Sequence, residues 1–323
     1  MQAEARGDVG VLTVQAPTSR PLLTLGLTFL LLGIGFASPF RLAPQAPAHI
    51  WEGAISRETL NLYALTVFAG WGHFFYAWRG QWKGSGRLQV RHRVGFWLSV
   101  AVLLGALIVA RSVLGFAVFS LLVWVWNIEH FAKAERFFAG QRAEPRTATI
   151  AVAAFAWFTL CLFQAGPLKD IRIVFAGTLV LAAGALALGS WKKLASGGSQ
   201  LPLLTLFLLG ETLVWSAYGP YMTEAFRVGV YIFHVAGASF FHYLAGYFYA
   251  ESRNADGRDR LLTAAGVAGI NCAVIVAGVA IVWIPWLAWL RPVFGLEAFT
   301  LFVALHLGAS DIFPWWKRRA TSR

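Results

Sequence analysis

The feature that most constrains this chain is a succession of long apolar runs divided by short charged or turn-forming breaks. A helix needs roughly 20 mainly apolar residues to cross about 30 Å of hydrocarbon. Runs of that order recur at 21–41, 59–78, 94–111, 113–133, 147–166, 172–191, 201–219, 228–250, 261–284 and 294–316. The breaks include Arg79 to Arg93, Gly140 to Arg146, Gly166-Pro167, Gly197-Gly198 and Arg253 to Arg260, with a tight turn near Arg111. Only helices and closed barrels satisfy the backbone in lipid, and these runs do not alternate as barrel strands would. The expected fold is therefore an all-α polytopic integral membrane bundle of about ten transmembrane helices. It forms one domain, 21–316, between a tail at 1–20 and a basic tail at 317–323. Composition agrees: 58% of residues are hydrophobic and 13% charged, against about 25% charged in soluble domains. Lipid must serve as solvent for much of such a surface.

The formal net charge is +12. In membrane proteins an excess of Lys and Arg marks the cytoplasmic side, and that reading is preferred over a nucleic-acid surface. With the N-terminus inside, 20 of the 27 Lys and Arg fall in inner segments and 7 in outer ones. The expectation is an even number of spans, both termini cytoplasmic, in a bacterial inner membrane. The bilayer is then the first partner, and nucleic acid is not one. Cys161 and Cys272 lie in apolar runs, so no disulfide framework is expected. No cleavable signal peptide is expected either, because the first apolar run follows a polar tail without a small-residue cleavage site. A faint internal repeat, Pro21-Leu-Leu-Thr-Leu and Pro202-Leu-Leu-Thr-Leu, opens two hairpins.

The histidines carry the functional signal. His49 falls in an outer loop and His92 in a basic inner one, but His73, His130, His234, His242 and His306 lie inside apolar helices. Ionisable groups there are costly and face a bundle interior. His73, His130, His242 and His306 precede the basic residues Arg79, Lys133, Arg253 and Lys317 by six, three, eleven and eleven positions. At 1.5 Å rise per residue they share a layer roughly 12 Å deep in the cytoplasmic half. Neutral imidazole suits iron, copper, zinc and nickel, so these four are the candidate metal ligands. His234, two turns before His242, is expected to line a substrate cavity with Tyr243 and Asn271.

A metal-bound His needs an acceptor for its other N–H. Glu129, Glu211 and Asp311 are the candidates for orienting ligands or moving protons. All but Glu211, which has no basic residue within a turn of it, also have a plainer reading. A membrane His often bridges helices, Glu129 can pair with Lys133 at i,i+4, and Asp311 can pair with Lys317 or Arg318. The aromatic residues around His242 pack a core or line a pocket for a flat hydrophobe. Walker A, GxGxxG, HExxH, DxxxD, HxxxH, HxxHH and GxSxG patterns are absent, which disfavours nucleotide, zincin, prenyl-diphosphate, desaturase and esterase chemistry.

The stretch His306-Leu307-Gly308-Ala309-Ser310-Asp311 resembles the HFGxxD-type signature of the Brp/Blh membrane carotenoid-cleaving dioxygenases. The resemblance implies a polytopic fold, a non-haem iron held by His from several helices, His306 as a ligand and Asp311 as its neighbour. It covers about six residues. Leu307 stands where the family has an aromatic, and the family's other HGxxD-like motif is missing.

The leading expectation is a membrane metalloenzyme, a non-haem iron oxygenase acting on a hydrophobic lipid or isoprenoid that enters from the bilayer. Three other classes remain open at this point. They are a haem- or pigment-binding subunit, a transporter using intramembrane His and Glu as an ion relay, and a structural subunit. An oligomer or a larger membrane complex is compatible with all of them.

Overall fold

The computed structural model describes residues 19–38, 42, 55–138, 145–164, 166–188, 210, 211, 214, 215, 218–254 and 256–321. The tail before Ser19, His49, the Pro202 repeat and most of the run at 201–219 lie outside the described residues. Among the described residues there is no strand, and eight α-helices follow one another. They are α1 (Ser19–Ala37), α2 (Arg57–Gly86), α3 (Val90–Phe138), α4 (Pro145–Leu162), α5 (Ile171–Leu188), α6 (Glu224–Ser252), α7 (Ala264–Trp283) and α8 (Leu296–Thr321). Helix starts carry local signals. The side chains of Ser56, Thr223 and Thr263 accept from the backbone N–H three residues on, at 3.2 Å each. Glu58 and Glu224 stand in the first turns of α2 and α6, where the helix dipole favours an anion.

Four helices, Val90–Phe138, Glu224–Ser252, Ala264–Trp283 and Leu296–Ala320, are long and apolar enough to cross a membrane. Leu23–Ala37, Ala148–Leu162 and Ile171–Gly184 are shorter apolar helices. Large apolar side chains stand fully outward, among them Val102, Val113 and Val180. Such a surface is at rest in hydrocarbon and not in water.

α3 is two arms. Its 49 residues would make a rod about 73 Å long, more than twice the hydrocarbon thickness. Gly115, at φ 72° and ψ 163°, breaks it. Leu103 and Trp126, which a straight helix would hold about 35 Å apart, both lie against the Cα of Gly308 in α8. The chain therefore reverses at Gly115, four residues beyond Arg111. A left-handed φ costs a residue with a Cβ about 1–2 kcal/mol, which explains glycine at the turn. The first arm runs antiparallel to α8: Arg111 pairs with Glu297 at 2.7 Å at one end, and Gly95 meets Trp316 at the other.

α2, the second arm of α3, α6 and α8 surround the centre. Leu62, Val67 and Phe68 of α2 pack with Ala236 and Phe240 of α6. Ile128 and Phe131 of α3 pack with Ala151, Phe155 and Phe158 of α4. Phe119 and Val123 of α3 pack with Ala304 and Leu307 of α8. In lipid this apolar contact brings no transfer energy, so close packing holds the helices, as where Gly70 meets Phe299 and Gly278 meets Phe68. At the basic end, Asp259 ties the loop after α6 to α2. It accepts from Arg79 at 2.6 and 2.7 Å and from Lys83 at 2.8 Å.

Candidate metal centre

Each imidazole of the predicted layer comes from a different one of these four helices, and the structure brings all four together. Ring centroids stand 5.0 Å apart for His73 and His242, 5.4 Å for His73 and His306, 5.2 Å for His130 and His242, and 5.4 Å for His130 and His306. Four imidazoles bound tetrahedrally at a metal–nitrogen distance of 2.0–2.1 Å would have all six centroid pairs about 5.2 Å apart, and four of the six lie near that spacing here. The rings meet at steep angles, with interplanar values of 64°, 89°, 66° and 80°. Among the described residues no three His, Cys, Asp or Glu side chains form a closed metal-binding group as they stand.

The donor chemistry fits a cation. His73 Nε2 and both ring nitrogens of His306 are buried without a hydrogen-bond partner. A buried polar atom left so costs about 1–3 kcal/mol. Two of the rings are fixed by flat neighbours. Tyr243 stacks on His73 at 4.7 Å and 23°, and Phe131 stacks on His242 at 4.3 Å and 21°.

The four imidazoles lie at one end of a cavity of about 440 Å³. Its wall reaches Thr59 on α2, Ala117 on α3, Tyr231 on α6 and Leu296 on α8. Those residues are 14, 13, 11 and 10 positions before the helix's own His. The cavity therefore runs some 15–21 Å along the bundle, away from the basic end. No Asp, Glu, Lys or Arg is among its described lining residues.

The three carboxylates expected to serve the site lie elsewhere. Glu129 pairs with Lys133 at 2.7 Å, as i,i+4 neighbours do. Asp311 is exposed on α8. Five residues turn a helix through about 500°, so Asp311 points some 140° away from His306 and makes no bond to its nitrogens. Glu211 Oε2 lies 2.5 Å from His234 Nδ1, with both residues buried. That pair packs against Phe155 and Phe158 of α4 and is not part of the cavity wall. Of the expected cavity residues, Tyr243 lines it. Asn271 instead lines a second cavity of about 290 Å³ between α1, α2, α6 and α7, on which Tyr243 also borders. Asn271 accepts from the Tyr247 hydroxyl at 3.3 Å.

Sequence reasoning missed Tyr63, Trp124 and Thr159, which line the main cavity with buried polar atoms. Nothing in their spacing marks them. They share a cavity because three helices meet there. Comparison with known proteins adds no identity, since no family model, curated protein or solved structure matches the chain.

Proposed function

We propose that this protein is a membrane-embedded metalloenzyme, a non-haem iron oxygenase acting on a hydrophobic lipid or isoprenoid. The observation that carries this reading is the ring of four imidazoles from four helices, with unpartnered nitrogens, at the end of a long uncharged cavity. His73, His130, His242 and His306 are the ligands. Four neutral nitrogen donors without a carboxylate suit a borderline divalent ion such as iron. Bound iron supplies activation of O₂.

The chain's own groups do the rest. The stacked rings of Tyr243 and Phe131 hold His73 and His242 in tilt. Val67, Val123 and Val303, which line the wall, exclude water and keep an extended substrate pointed at the imidazoles, so that position and orientation are set before reaction.

Ten spans in a single domain over 21–316, with both termini cytoplasmic in a bacterial inner membrane, complete the proposal. Support comes from the placement of charge. α2 ends, α3 both begins and ends, and α6 and α8 end on the side that holds Arg79, Lys83, Arg93, Arg253 and Lys317. The test is O₂ uptake by the purified protein with neutral isoprenoids and lipids. Uptake that requires one of these substrates, and disappears in His73→Ala and His306→Ala, supports the reading. Substrate-independent uptake, or none with iron present, contradicts it.

A further inference from the structure

The polar atoms of the cavity away from the imidazoles say what kind of hydrophobe belongs in it. The hydroxyl of Tyr63, the indole N–H of Trp124 and the hydroxyl of Thr159 are each buried without a hydrogen-bond partner. All three residues line the cavity. Tyr63 lies ten residues before His73 on α2, and Trp124 six before His130 on α3. That sets them about 15 Å and 9 Å from the imidazole layer. Thr159 belongs with them, since Trp124 packs on Phe155 at 6.3 Å, one turn before Thr159 on α4.

Indole N–H is a donor only, and both hydroxyls can donate. Three donors along the cavity wall away from the imidazoles, each costly when unmet, ask for an acceptor oxygen on the ligand. The uncharged wall decides which oxygen. A carboxylate or phosphate buried there would have no cation beside it, and burying an unpaired charge is prohibitive.

We infer that the cavity binds a long-chain neutral hydrophobe carrying one oxygen acceptor, an alcohol, aldehyde or ketone. The oxygen is held by Tyr63, Trp124 and Thr159, and the chain reaches to the imidazoles. This rests on the reading of the cavity as the substrate site but not on iron. A ligand held at a fixed oxygen presents one bond of its chain, some 9–15 Å away, to the ring of histidines. The cavity thus carries positional selectivity as well as affinity.

The experiment measures binding of hexadecanol, hexadecane and hexadecanoate to the full chain in lipid nanodiscs, with Trp124→Phe, Tyr63→Phe and His73→Ala alongside. All variants share one bilayer, so partitioning of the probes cancels between them. Hexadecanol should compete best. Trp124→Phe and Tyr63→Phe should each weaken it roughly 2–12-fold, the worth of one neutral hydrogen bond, and leave hexadecane unchanged. Hexadecanol binding no tighter than hexadecane in the wild type, or hexadecanoate binding equally well, overturns the inference. Hexadecanol selectivity retained in a His73→Ala chain sustains it independently of the imidazoles, and the same selectivity in a wild type free of iron sustains it while the oxygenase reading falls.

Discussion

Helix α6 carries two buried histidines two turns apart, and the protein treats them in opposite ways. His234 meets a carboxylate, Glu211, at 2.5 Å among the aromatic rings of α4. His242 meets no carboxylate. It faces His73 and His130, with Phe131 stacked on it. The first is how a membrane protein normally settles an ionisable group, with a partner whose chemistry answers it. The second gathers like groups whose nitrogens do not answer each other, and His73 Nε2 and both His306 nitrogens have no bond. Such an arrangement is costly unless something binds. On the proposed reading, the difference separates a structural His234 from a ligating His242 on the same helix.

That contrast can be pulled apart from either side. Glu211→Ala should give the largest loss of stability. Removing one member of a buried pair costs about 3–5 kcal/mol, read as a fall in thermal midpoint in detergent. Metal content per folded chain should stay unchanged, and loss of metal in this variant would erase the distinction between the two sites. Next is Gly308→Val, one turn of α8 from Asp311 and two residues past His306. A Cβ there meets Leu103 and, at 3.1 Å, Trp126. Overpacking of that kind costs about 1–3 kcal/mol. The strain falls on both arms of α3, so metal affinity should drop as well as stability, and an equilibrium competition with a chelator reads it.

A smaller effect belongs to the loop that ties α2 to α6, the helices of His73 and His242. Hydrogen bonds from Lys83, then Arg79, lower Asp259 from 3.8 to about 2. A carboxyl depressed on folding contributes stability above its unfolded value and loses it as pH falls through the folded one. The contribution of Asp259 is thus full above about pH 4 and fades towards pH 2. Asp259→Asn should narrow the gap to wild type over that window, and salt should shrink the effect because the group is near the surface. The smallest expectation is for Asp311→Asn, which should leave metal and stability as they are. A tenfold loss of metal affinity would restore the carboxylate to the part that the His306–Asp311 resemblance gives it.

The sequence showed depth and hid azimuth. Rise per residue fixes how far His73, His130, His242 and His306 lie from the basic residues that follow them, so their common layer was legible. It does not fix which way a side chain points once helices pack. Asp311, some 140° round α8 from His306, and Asn271, facing the second cavity, were out of reach for that reason. Glu211 stood out as an intramembrane carboxylate, but its partner lay on another helix 23 residues away. The reversal of α3 was visible as a turn near Arg111, and the positive φ of Gly115 places it. The expected helical, apolar character holds among the described residues, while the expected span at 201–219 lies mostly outside them.

The central claim is that these four imidazoles hold one metal ion. The most direct measurement is elemental analysis of the detergent-purified protein with its optical spectrum, repeated on His73→Ala, His306→Ala and His234→Phe. The account predicts about one iron per wild-type chain without a haem band. That iron should be lost in the first two variants and kept in any folded fraction of the third. Wild-type protein without stoichiometric metal, or His73→Ala and His306→Ala chains that retain it, would contradict the account and leave the ring as helix packing.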